Sequence, residues 1–105
     1  FTSSGTGAME TAVATFIRPG DTAIVISAGK WGERWSELCK TFQANLVELK
    51  TDYGKVVSPA EVEAALKKHP KTVAVYSQLS ETSTGVAHDI AAIGEVVKKT
   101  PALLA

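Results

Sequence analysis

Short apolar runs at Thr22 to Ser27, Asn45 to Leu49 and Thr72 to Tyr76 alternate with helix-length stretches that carry apolar residues on one face. No other feature constrains the fold as much. A strand, a helix and a second strand in succession close as a right-handed unit, which makes the strands parallel and lays the helices over the sheet. The run TAIVIS, residues 22–27, has no polar alternation, as expected of a strand covered on both faces. The expected class is α/β, a three-layer α/β/α arrangement around a mainly parallel sheet, in one domain over residues 1–105.

The helices carry their own signals. Met9, Ala12, Val13 and Phe16 fall at i, i+3, i+4 and i+7 and predict a buried stripe on a first helix, which Arg18-Pro19-Gly20-Asp21 ends. Trp35, Leu38, Cys39 and Phe42 repeat that spacing in a second helix, predicted from about Gly32 to Phe42. Tyr53-Gly54-Lys55 reads as turn material. In Ser58-Pro59-Ala60-Glu61 the serine can cap a helix, the proline fits its first position and the glutamate can close a capping box. Val62, Ala65 and Leu66 then form its inner stripe, and Pro70 stops it after Lys67, Lys68 and His69. The polar loop Ser77 to Gly85 leads to a helix started by Asp89, with Ile90, Ile93, Val96 and Val97 on one side. Ala102 to Ala105 opens a fourth strand.

Composition narrows the function. Eleven basic and 11 acidic residues give a net charge of zero, which argues against a nucleic-acid surface, since phosphate binding needs excess Lys and Arg. No apolar run approaches the ~20 residues that span a bilayer, so no membrane partner is expected. The single cysteine, Cys39, excludes an internal disulfide, makes a thiolate metal site unexpected and reads as an inert core thiol. No leader is visible, and a reduced, cytoplasmic setting is expected.

In an open parallel sheet, ligands bind at the carboxyl ends of the strands and at helix N-termini. Three loops occupy such positions. In Ser3-Ser4-Gly5-Thr6-Gly7 the glycines allow close backbone approach and the following helix offers free N–H groups, which together suit a phosphate; a plain helix cap reads the same residues equally well. In Ala28-Gly29-Lys30-Trp31-Gly32-Glu33-Arg34, Trp31 can stack on a flat ligand or pack at a helix start. Trp35 continues the apolar stripe and belongs to the core. Ser80-Glu81-Thr82-Ser83-Thr84-Gly85 offers donors and acceptors for a polar ligand edge, or a cap for the next helix. His88 has no positioned nucleophile beside it in the sequence, and His69 at a helix end reads as solvated.

These loops, in this order, resemble part of the large domain of class V aminotransferases, enzymes dependent on pyridoxal 5'-phosphate (PLP) with fold type I. The alanine–glyoxylate and serine–pyruvate branch is the most similar. The resemblance lies in Ser4-Gly5-Thr6-Gly7-Ala8-Met9-Glu10, Gly29-Lys30-Trp31-Gly32-Glu33-Arg34 and Glu81-Thr82-Ser83-Thr84-Gly85-Val86, with the Pro19-Gly20-Asp21 turn between the first two. It implies that Ser4, Gly5 and Thr6 hold the cofactor phosphate, that Trp31 stacks on the pyridine ring and that Thr82 hydrogen-bonds the ring's phenolic oxygen. Cysteine desulfurases usually place a histidine on the ring, so Trp31 counts against that branch.

The resemblance also implies residues that lie elsewhere. None of Lys30, Lys40, Lys50, Lys55, Lys67, Lys68, Lys71, Lys98 and Lys99 sits in the context of the family's Schiff-base lysine, so no catalytic residue is assigned within this chain. The aspartate paired with the pyridine nitrogen is expected after the strand begun at Ala102. The chain is therefore expected to be a fragment of the cofactor-binding domain, inactive alone, of a homodimeric enzyme. Its implied reaction moves an amino group from alanine or serine to glyoxylate or pyruvate. The non-enzyme alternative is a small α/β module that binds a phosphorylated metabolite or a partner.

Overall fold

The computed structural model describes the backbone of residues 5–27, 30–50, 57–77, 80–81, 86–87 and 90–104, and the side chains of residues 9–27, 32–50, 57–77 and 91–104. In chain order the elements are α1 (Gly5–Phe16), β1 (Thr22–Ser27), α2 (Lys30–Thr41), β2 (Asn45–Lys50), α3 (Pro59–Lys68), β3 (Thr72–Tyr76), β4 (Ser80–Glu81), β5 (Val86–Ala87), α4 (Ile90–Val97) and β6 (Leu103–Leu104). The main sheet has the order β2-β1-β3-β6 and every pairing in it is parallel. The α/β class expected from the alternating runs is the one observed.

Strand order dictates where the helices go. From β1 the chain steps outward to β2, then returns past β1 to place β3 on its other side and β6 beyond. Right-handed crossovers in opposite directions put their helices on opposite faces. Accordingly α1 and α2 bury Met9, Val13, Trp35 and Cys39 against Ala23, Val25, Ala74 and Tyr76. On the other face α3 and α4 bury Val62, Leu66, Ile93 and Val97 against Ile24, Ile26 and Val75. Alternate residues of β1 thus serve two separate cores, which is why its sequence is apolar throughout.

Local signals in the sequence set most of the element ends. Ser58 caps α3 by accepting a hydrogen bond from the Glu61 N–H at 3.2 Å, with Pro59 at the first helical position. Such a cap contributes about 1 kcal/mol. Gly20 takes φ +90° in the turn before β1, a conformation that costs glycine nothing. The turn is tied to the start of β2, where the Asn45 side chain donates to the Gly20 carbonyl at 2.9 Å. Along the outer strand, Glu48 lies between Lys40 and Lys50, at 3.7 and 3.6 Å. A charged edge of this kind discourages a further strand from adding there.

Three expectations need correction. Phe16 is not in the core: it is 41% exposed, and Ile17 just beyond the helix is buried in its place. The inner stripe runs Met9, Val13, Ile17 at intervals of four, and an i+7 position rotates to its margin. Helix α2 begins at Lys30 rather than Gly32, so Trp31 lies within its first turn. The Ser77 to Gly85 stretch is not wholly loop, because β4 pairs antiparallel with β5, Ser80 with Ala87 and Glu81 with Val86. Two-residue strands leave no periodicity for a sequence to show. The Tyr53-Gly54-Lys55 turn, His88, Asp89 and the Ile90 side chain lie outside the described residues. No helix among the described residues is long and apolar enough to cross a membrane.

Candidate functional site at the carboxyl edge of the sheet

Because the four strands are parallel, their carboxyl ends share one edge. Helix α2 starts there, three positions after the last residue of β1. Helix α1 must run antiparallel to β1, since only residues 17–21 join its end to the start of that strand. Its first turn therefore lies at the carboxyl edge as well. A hydrogen bond to its later turns ties the helix to the sheet: the Tyr76 hydroxyl, from the last residue of β3, donates to the Ala12 carbonyl at 3.1 Å. Strand β4 lies against α2 on the same side. All these parts converge where the strand order reverses, between β1 and β3, which is where open α/β sheets bind ligands.

The contact between α2 and β1 is unusually close. A Cβ added to Gly32 would stand 2.5 Å from the Ser27 Cα and 2.7 Å from the Ile26 carbonyl oxygen. Both are backbone atoms of the strand, so no rotamer change can make room. Only glycine lets the first turn of α2 rest directly on the end of β1. Ser27 and Ser77, at the ends of the two central strands, are both buried.

Beneath this edge lies an aromatic and sulfur cluster. The Trp35 and Tyr76 rings stack with centroids 4.7 Å apart and planes inclined by 28°. Cys39 is fully buried beside them. Burial pushes its thiol from 9.0 up to about 11. Burial first, and the neighbouring Cys39 thiolate second, drive the Tyr76 phenol far above its ordinary range. Among the described residues, the buried Trp35 Nε1 and Ser36 Oγ of α2 find no hydrogen-bond partner.

Cys39 is thus an inert core thiol, as its place on the stripe predicts. Iodoacetamide should leave it unmodified in the folded chain at neutral pH and label it at once in denaturant, as read by intact-mass spectrometry. Rapid labelling of the folded chain contradicts the assignment. The same shift has a pH consequence. The folded state keeps a proton that the unfolded thiol releases above 9.0, so stability is intact below that pH and falls as pH rises towards about 11.

Of the residues the sequence singles out, Gly5 and Thr6 open α1 and Trp31 is the second residue of α2. The backbone brings these positions to one edge. Their side chains, and Ser4 and Thr82 entirely, lie outside the described residues. Thr82 directly follows β4, whose pairing with β5 brackets residues 82–85. His69 ends α3 half-buried rather than solvated; its carbonyl accepts from the Thr72 hydroxyl at 2.7 Å. Sequence reasoning missed Tyr76 as the tie between β3 and α1, because a tyrosine ending an apolar strand looks like any core residue. It also missed why Gly32 is glycine. A glycine inside a stretch of good helix formers was the available signal.

Fold and site together define a doubly wound α/β protein whose candidate site lies at a strand-order reversal. The chain belongs to the class V aminotransferase family, whose profile it matches over residues 1–105. It is 37% identical to an uncharacterized aminotransferase of Methanocaldococcus jannaschii, over 97% of this chain and 26% of that protein. It is 38% identical to a protein of a Synechococcus species named as the small subunit of a soluble hydrogenase, over 90% of this chain and 25% of that one. Among solved structures, it resembles alanine–glyoxylate aminotransferase from a Nostoc species with a TM-score of 0.88 and 30% identity, covering 98% of this chain and 27% of that one. The chain spans about a quarter of the length of the curated relatives it matches.

Proposed function

We propose that this chain supplies the cofactor-holding part of the large domain of a PLP-dependent aminotransferase. The whole enzyme, a cytoplasmic homodimer in this reading, moves an amino group from alanine or serine to glyoxylate or pyruvate. The observation that carries the reading is the convergence of two helix N-termini and the β4–β5 hairpin at one edge of the sheet. Family membership and the likeness to the Nostoc alanine–glyoxylate enzyme support it.

The residues fit a phosphorylated ring. The first turn of α1 contains no acidic residue, whereas that of α2 contains Glu33. Free N–H groups and a positive helix end unopposed by a carboxylate favour an anion at α1. Ser4, Gly5 and Thr6 hold the phosphate there, through backbone N–H groups and two hydroxyls. Trp31, at the start of α2, covers one face of the ring. Thr82, carried by the β4–β5 hairpin, donates to its phenolic oxygen. The bound cofactor supplies the electron sink of the reaction. This chain anchors and orients it; the lysine that the family links to the cofactor lies outside these residues.

Titrating the isotopically labelled chain with PLP tests the reading by amide NMR. Shifts should concentrate at Gly5 to Gly7, Trp31 and Thr82, and borohydride should trap no stoichiometric lysine adduct. A specific adduct at one of the chain's lysines overturns the statement that the lysine lies elsewhere. Tighter binding of nucleotides than of PLP favours a general phosphometabolite module instead.

A further inference from the structure

The close contact at Gly32 does more than pack a helix. We propose that Gly32 is a positioning residue, which sets the height of Trp31 above the carboxyl edge and so the fit of a flat ring against it. This rests on the reading that Trp31 covers the cofactor ring.

The argument is geometric. Gly32 follows Trp31 in the first turn of α2, and its Cα faces the backbone of Ile26 and Ser27. Strand β1 is hydrogen-bonded on both sides, to β2 and β3, and its Ile24 to Ile26 segment is wholly buried. It cannot yield. A Cβ at 2.5 Å from the Ser27 Cα needs about 1 Å more to reach ordinary contact, so the helix start must lift by that amount. Rings stack through a narrow range of separations, and dispersion falls by a quarter to a half across a gap of about 0.5–1 Å. A lift of the first turn therefore acts on the ring contact directly. The phosphate end is on α1, which packs on α2 through the cluster of Met9, Val13, Trp35 and Cys39 rather than at the Gly32 contact.

The test compares two probes on the 105-residue chain, PLP and inorganic phosphate, by amide NMR titration. Gly32→Ala should weaken PLP binding about tenfold, the equivalent of about 1.4 kcal/mol, and leave phosphate binding unchanged. Loss of stability alone would lower the folded fraction and weaken both probes alike. Unchanged PLP affinity in folded Gly32→Ala overturns the proposal. If Gly32→Ala does not fold in buffer, the comparison is repeated in trimethylamine N-oxide, which favours the folded state, with the same selective weakening expected and an unchanged ratio of the two affinities overturning the proposal. Trp31→Ala separates the inference from its premise. If that variant binds PLP as the parent chain does, the ring-stacking reading fails; if it loses affinity while the Gly32 variant does not, only the positioning role fails.

Discussion

Replacing Tyr76 with alanine should cost about 3–5 kcal/mol of stability, the range for removing a large buried aromatic. The ring is fully buried, stacks on Trp35 at 4.7 Å, and carries the hydroxyl that holds Ala12 of α1. Tyr76→Phe keeps the stack and loses only the hydrogen bond, for about 1 kcal/mol. The ratio of the two effects, read from urea denaturation, separates packing from tethering. If Tyr76→Phe costs as much as Tyr76→Ala, the hydroxyl and not the ring is the main tie. A cost under about 1 kcal/mol for the alanine variant contradicts the central position given to this residue.

The second large effect is expected on the opposite face of the sheet. Ile24 lies in the middle of β1, fully buried, and belongs to the cluster under α3 and α4. Ile24→Ala should cost about 2–5 kcal/mol, from lost burial and the cavity left behind. Ile24 and Tyr76 belong to different clusters on opposite faces but lie on adjacent, directly paired strands, so the double variant reads the coupling between the faces, expected at about 0.5 kcal/mol. A coupling well beyond that means the sheet transmits strain between its faces. The same experiment asks whether Cys39, on the Tyr76 side, becomes open to iodoacetamide. It should do so in Tyr76→Ala and not in Ile24→Ala.

Much of the fold was legible because its signals are local and redundant. TAIVIS, at 22–27, cannot be amphipathic, and β1 occupies those residues. Ser58, Pro59 and Glu61 announce a helix start with three kinds of chemistry, and α3 starts there. Trp35 and Cys39 sit on a helical stripe and are both core. What escaped was set by tertiary contact. Phe16 and Ile17 compete for one inward position, and the turn to β1 decides between them. The β4–β5 pair is too short for periodicity. Gly32 stood at the predicted start of a helix, yet its reason is the backbone of β1, the strand just before that helix. Of the candidate site, the sequence showed which residue types suit a phosphorylated ring. It could not show that α1 and α2 begin, and β3 ends, at one edge, since that follows from the reversal of strand order.

That reversal has a consequence for how the chain acquires a site at all. The unit β1-α2-β2 is contiguous and can assemble from short-range contacts. The candidate site, however, lies between β1 and β3, and the bond that ties α1 to β3 joins residues 64 positions apart. Contacts of such separation form late and slowly. An intermediate with β1 and β2 already paired would contain Gly5, Thr6 and Trp31 and still have nowhere to put a ligand. A ligand that needs all these parts together would meet them only in the finished sheet, and its binding would favour that state by mass action.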